Sequence, residues 1–499
     1  MIRNRACFCL SLLFMLSCSR KALPGGDSVQ QKTEPAPPVA GPPRMLKPGL
    51  VGPAERRPEP PAGGRRFYVS PKGNDVNDCS EQSPCRELKR GVKLATAPGD
   101  VLIVEDGEYA GFAVSDVSGE PGRPITIFAK GKRAIVKPDP ECNGKWHCRD
   151  TIIVRRSKYV VLDGLTANEA MRSGVAIFYG DHITVRNGVY GDNGRWGIFS
   201  SFADDLVIEN NEVYRSHDEH GIYLSNSGDR PIVRANVARD NNACGIQINA
   251  DYREKPEFGK SGKSWYVGEP DGLTTGAVIE NNLIYGNGSG QLGTGKKRRR
   301  GGAGINLDGV QDSIVRGNVL FDNQAGGIVA YGDADGLETD EDEDGDGRFG
   351  PKGMVIAHNT VVMPSGSRHG LQIRLSAGSN IVRNNILTHE DKGRAGLELV
   401  TEKDAQLVDS DGNVLDRVAI GEQITTLDDW KKKHGKDAHS LSVPLKLLFA
   451  DRARGDFTLV PGSPAARAGT QVNEVAHDYF GKPWRSGGGR SIGACESDK

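Results

Sequence analysis

Between residues 174 and 373 the hydrophobic pattern repeats with a fixed period. A glycine followed by an apolar residue recurs at Gly174-Val175, Gly197-Ile198, Gly221-Ile222, Gly245-Ile246, Gly304-Ile305, Gly327-Ile328 and Gly370-Leu371, and the uninterrupted intervals are 23 or 24 residues. Asn211, Asn236, Asn318 and Asn385 trail these glycines by 14 or 15 residues, while Asn282 and Asn359 take the same place after longer excursions. Each unit reads as a short alternating strand, a turn, a Val/Ile-rich strand, an asparagine turn and a third short strand such as Val213-Tyr214. A unit of this length has no room for a helix, whereas a leucine-rich repeat would need a leucine ladder and a helical segment; it is one coil of a parallel β-helix. The asparagines are expected to form an internal ladder, adopting left-handed backbone angles at the turn.

Alternation sorts the side chains. Ile222 and Leu224, Ile246 and Ile248, Ile305 and Leu307, and Leu371 and Ile373 point inward, so their neighbours point outward. Stacked at about 4.8 Å per coil, the outward positions bring Trp196, Phe199, His220, Tyr223, Gln247, Asn249, Asn306 and Asp308 onto one wall, with Arg374 further along it. Such a wall suits an extended oligosaccharide: rings stack on sugar faces, and amides and carboxylates bind hydroxyls. Trp196, Phe199, Gln247, Asn249, Asn306 and Arg374 are therefore candidate binding residues. His220, at the end of His217-Asp218-Glu219-His220, and Tyr223 could exchange protons in a β-elimination, with Asp308 as a third catalytic candidate. Hydrolysis is less favoured on this wall, because Asp308 lacks a second carboxylate in the neighbouring columns.

Two excursions interrupt the period, at 251–275 and 333–352. The first leaves directly after Asn249 and is expected to wall one side of a groove. The second contains Asp342, Asp344 and Asp346 around Gly347, an alternating-carboxylate pattern that points to a Ca²⁺ loop, although Gly353 stands where an EF-hand would place its bidentate glutamate. The basic run Lys296 to Arg300 is read as a solvated loop tip or a local polyanion contact.

Composition narrows the class. Of 499 residues, 26% are charged and the net charge is −1, so no global field draws in nucleic acid. Residues 1–18 have a basic start and a short apolar stretch, the pattern of an export signal. Residues 19–64 are Pro-rich and read as a tether. Residues 65–499 form the β-helix domain: cap and first coils over 65–150, regular coils over 151–400, and C-terminal coils and cap over 401–499. In an exported chain the equal spacings of Cys79 and Cys85, and of Cys142 and Cys148, favour two local disulfides, leaving Cys244 and Cys495 free. Ser83-Pro84 followed by Leu88, Val92 and Leu94 predicts an N-capped helix ending near Pro98-Gly99 and covering the first coil.

Phe67 to Asp75, Pro98-Gly99-Asp100, Asp106-Gly107-Glu108-Tyr109 and Gly122 to Ile127 resemble the opening coils of secreted, pectate-lyase-like, right-handed parallel β-helix proteins. His220 to Asn226, Ile305 to Gln311, Pro461 to Ala465 and Ile492 to Glu496 continue the resemblance. It implies an all-β, right-handed parallel β-helix solenoid over roughly residues 66–496, and it leaves the activity open, because this fold carries lyases, hydrolases, epimerases and adhesins. Met15-Leu16-Ser17-Cys18 resembles a lipobox, which implies lipidation of Cys18 and a cell-envelope lipoprotein, expected at the outer membrane, or a secreted protein if Cys18 is unmodified. The expected protein is a monomer that meets the membrane only through this anchor. Its expected partner is an anionic polysaccharide, with Ca²⁺ as the implied ion and no nucleic acid bound. A non-enzymatic surface scaffold or adhesin is the alternative.

Overall fold

The computed structural model describes residues 63–139, 149–250, 266, 268, 271–290, 301–332, 348–484 and 489–496. Cys18, Cys142, Cys148, Asp342, Asp344, Asp346, the basic run 296–300, nearly all of the tether and most of the 251–275 excursion lie outside them.

Three sheets of twelve, eight and twelve strands are built by repetition, each regular central coil adding one strand to each. A base sheet runs from Arg66–Val69 to Val408–Asp411, a short sheet from Val189–Gly191 to Val414–Leu415, and a wall sheet from Phe112–Ser115 to Gln423–Thr426. One coil, for instance, supplies Trp196–Ser201 to the wall, Val207–Glu209 to the base and Glu212–Tyr214 to the short sheet. Apart from the wall sheet's last strand, Gln423–Thr426, which returns antiparallel to Arg417–Ile420, the pairings in these sheets are parallel and in register, so Ile198, Ile222, Ile246, Ile305, Ile328, Leu371 and Leu397 form one fully buried column. The fold is therefore an all-β parallel β-helix. The repeat glycines are held by crowding: a Cβ on Gly221 would lie 2.8 Å from the Gly245 carbonyl oxygen, and one on Gly245 2.8 Å from that of Gly304.

The asparagine ladder is present with one change of detail. Asn236 Oδ1 accepts from the Asn211 amide at 3.0 Å, and Asn282 Oδ1 accepts from the Asn236 amide at 3.0 Å; the chain of contacts continues through Asn318, Asn359 and Asn385 to Asn413. The left-handed backbone falls one residue earlier, at Asn210, Ala235, Asn281 and Asn384, because the ladder residue itself turns its side chain inward. A second ladder, Asn241, Asn287 and Asn323, lines the corner that leads into the wall sheet.

Both ends of the stack are covered. The first helix, α1 (Leu88–Val92), is shorter than the sequence predicts and Ser83 does not cap it. No side chain caps it; Asp75 Oδ1 accepts from the Arg86 and Glu87 amides just ahead of it, each at 3.0 Å. Leu88 and Val92 pack on the first coil, beside the Cys79–Cys85 disulfide. At the other end α2 (Glu402–Leu407) carries a Thr401 capping box, and α3 (Leu427–His434) buries Leu427 and Trp430. The chain then returns over the short sheet: Phe457 packs on Phe321, Asn281 donates to the Asp478 carbonyl at 2.9 Å, and the Ala494 amide donates to Thr360 Oγ1 at 3.0 Å.

Candidate functional site

The wall sheet brings the predicted columns together. Phe199, Tyr223, Gln247, Asn306, Val329 and Gln372 stand in one register, and Ser201, Ser225, Asn249, Asp308 and Tyr331 in another. These side chains face away from the core, yet they do not form an open platform. Trp196 is 5% exposed, Phe199 8%, Gln247 6% and Asp308 5%, which corrects the expectation of solvent-open rings. Trp196 stacks on Phe199 at 4.3 Å, the Arg195 guanidinium lies 4.5 Å from the Trp196 ring, and Glu219 binds both Arg195 and the indole N–H.

The polar half of the wall is engaged with itself in the same way. Asn306 Nδ2 donates to Gln247 Oε1 at 2.7 Å and to the Tyr331 hydroxyl at 3.1 Å, the Cys244 thiol donates to Gln247 at 3.3 Å, and Arg374 covers the Tyr331 ring at 4.5 Å. Burial pushes the Cys244 thiol up to about 12, which removes it as a nucleophile at neutral pH. His220 Nδ1 accepts from the Cys244 amide at 3.1 Å, and burial, opposed by Glu219, holds the imidazole down to about 4. At neutral pH the ring is therefore neutral with its proton assigned to Nε2. Its lone pair is committed to the backbone, so in this conformation His220 does not supply the base that an elimination beside Tyr223 requires. Tyr223 itself accepts from Ser225 Oγ at 3.2 Å and packs edge-on to His220.

A groove of about 630 Å³ opens at the next corner, where the wall sheet turns into the base sheet; Asp116, Arg156, Lys158, Tyr179, Asp181, His182, Asp204, Asp205, Arg230 and Tyr266 supply its chemistry. Tyr179, Phe202 and Asn226 all have left-handed backbone at the first turn position, which swings each chain around the corner. Two columns follow. Lys158, Asp181 and Asp204 are stacked in register. Alongside them, Tyr159 stacks on His182 at 4.4 Å, and Arg230 binds Asp205 at 2.8 Å. The 251–275 excursion returns here as Tyr266, whose hydroxyl meets Asp204 Oδ1 at 2.8 Å and the Ser227 carbonyl.

The groove's charges are paired. Asp181 takes Lys158 at 2.8 Å and His182 Nδ1 at 2.5 Å, and Arg156 binds Asp116 at 2.6 Å. Asp181, His182 and Asp205 offer ligand atoms within 4.8 Å of one another. A divalent cation would have to displace Lys158 and Arg230 from the two carboxylates, so the group is better described as a closed ion-pair network. Sequence reasoning passed over this corner because it lies outside the glycine-led strands. The signal was the recurrence of Gly180-Asp181-His182, Ala203-Asp204-Asp205 and Gly228-Asp229-Arg230 at intervals of 23 and 25 residues.

A family model for the right-handed β-helix region matches residues 141–258. Among solved structures, pectate lyase Pel9A superposes with a TM-score of 0.56 at 17% identity, covering 88% of this chain and 97% of that one. XylC, solved in complex with xylose, gives a TM-score of 0.50 at 10% identity, covering 87% and 99%. No curated protein matches the sequence. The chain has the right-handed parallel β-helix fold.

Proposed function

We propose that this protein is carbohydrate-active and holds an extended polysaccharide in the corner groove. The observation that carries the reading is the groove itself: a cavity within the size range of ligand sites, running across successive coils, with the Tyr179 ring beside carboxylates and guanidinium groups suited to sugar hydroxyls. The solved structures of the same fold described as a pectate lyase and as a complex with xylose support a saccharide partner. The lining carries three cations, Arg156, Lys158 and Arg230, against the four carboxylates of Asp116, Asp181, Asp204 and Asp205. Recognition of a uronate would therefore proceed by local exchange of ion pairs and not by attraction at a distance.

We place the protein at the cell envelope through Cys18, with Ca²⁺ held by Asp342, Asp344 and Asp346 as a loop-supporting ion and no part of the chemistry. The deciding experiment is affinity electrophoresis of the full chain in polygalacturonate, alginate and xylan, with and without Ca²⁺. Retardation by at least one polymer, reduced in Tyr179→Ala, supports the reading; equal migration in all three gels refutes it. Elimination is followed separately through the unsaturated product's absorbance at about 232–235 nm, the conjugated acid that proton abstraction would leave.

A further inference from the structure

We propose that Asp181 and Asp204 form the carboxyl pair of a glycoside hydrolase working in this groove; the proposal rests on the polysaccharide reading above. The two residues are bridged partners on adjacent coils and both line the cavity. One rung of the solenoid, about 4.8 Å, separates their backbones; carboxyl groups held at that rung match the ~5–5.5 Å of retaining enzymes better than the ~6.5–9.5 Å that leaves room for an inverting water.

Their surroundings differ in the sense that divides labour between two acids. Asp204 is 13% exposed at its side chain, with Oδ1 fixed by the Asp229 amide at 2.9 Å and by Tyr266. Oδ2 lies against Gly268, where a Cβ would come within 2.5 Å of it. Burial, helped by the Asp229 charge, raises Asp204 above the usual carboxylate range against the hydrogen bonds that oppose it. Burial also pushes on Asp181, but Lys158 and His182 outweigh it and hold Asp181 below that range.

In the first step Asp204 gives its Oδ2 proton to the glycosidic oxygen as the C–O bond breaks, and the Asp181 carboxylate adds to the anomeric carbon as a glycosyl ester. In the second, water returns a proton to Asp204 while its oxygen displaces Asp181. One water is consumed, one glycosidic bond is split, and no oxidant or cofactor takes part.

The test measures new reducing ends and polymer affinity together, on the full chain, with polygalacturonate, alginate and xylan as probes. Asp204→Asn and Asp181→Asn keep the shape of each side chain. Both should lower turnover at least ~10²-fold, and Asp181→Ala supplied with azide should yield a glycosyl azide. Turnover retained in either Asn variant overturns the pair. Binding of a polymer by the wild type without new reducing ends also overturns the pair, but leaves the binding reading intact. Absence of binding to all three polymers overturns both.

Discussion

Asn236→Ala tests the internal ladder at a point where the damage can be counted. Asn236 Oδ1 accepts from the Asn211 amide at 3.0 Å, and Nδ2 donates to the Ile208 carbonyl at 2.8 Å. Other partners survive: Asn211 Nδ2 keeps the Val185 carbonyl at 2.9 Å, and Asn282 Oδ1 keeps the Asn236 amide at 3.0 Å. The substitution therefore strips a partner from the buried Asn211 N–H, from the Asn211 Nδ2–H that donates to Asn236 Oδ1 at 3.1 Å, and from the Ile208 C=O, and at about 1–3 kcal/mol for each such group the expected loss is at least about 3 kcal/mol. Global unfolding of a solenoid is a poor readout, because its cooperativity can break down along the stack. Native-state hydrogen exchange at the Asn211 amide reads the loss locally: about 3 kcal/mol is roughly a 10²-fold drop in protection. Protection unchanged within threefold, in a variant that otherwise folds, would show that the ladder contributes shape without stability.

At neutral pH, long-range nitrogen NMR should find His220 as the Nε2–H tautomer; an Nδ1–H tautomer would break the assignment to the Cys244 amide. Because burial depresses His220 to about 4, the unfolded chain binds the extra proton first. Its contribution, ~3 kcal/mol at most, is present above pH ~6.5 and lost as pH falls toward about 4, so His220→Gln should flatten the acid limb of the stability curve. Reduction of Cys79–Cys85, which closes a loop of sequence separation 6, should destabilise the cap by about 2 kcal/mol. Limited proteolysis is expected to gain cuts within residues 66–104 once reductant is added, and gained cuts only among the central coils would contradict this. Cys18→Ala should move the protein from the membrane fraction to the soluble one and abolish labelling by a fatty-acid precursor; unchanged fractionation would remove the anchor.

The solenoid was legible in the sequence because coil period and strand alternation are both consequences of stacking, and stacking demands glycine where Gly245 meets Gly304 and asparagine where Asn236 meets Asn282. The helical cap was only half legible: Ser83-Pro84 has the composition of a helix start, but the helix begins at Leu88 without a side-chain cap, and Asp75 fixes the Arg86 and Glu87 amides just ahead of it. On the wall, alternation correctly separated inside from outside for Trp196 and Gln247. It carried no information on whether an outward side chain is then used up by its neighbours, because that depends on contacts between coils at Glu219 and Asn306. The corner groove was harder still. Its acids fall at turns, where no hydrophobic period marks the register, and its Tyr266 arrives from an excursion whose return point the sequence does not disclose.

The chain end that crosses the short sheet changes how this molecule should respond to force and heat. A simple stack peels from a terminus one layer at a time. Here Asp478, Thr470 and Ala494 grip layers at Asn281, Asn384 and Thr360, so the splint must detach before those layers can separate. Pulled along its axis, the protein should resist and then fail over this stretch in a single large event, leaving the earlier layers to ravel individually.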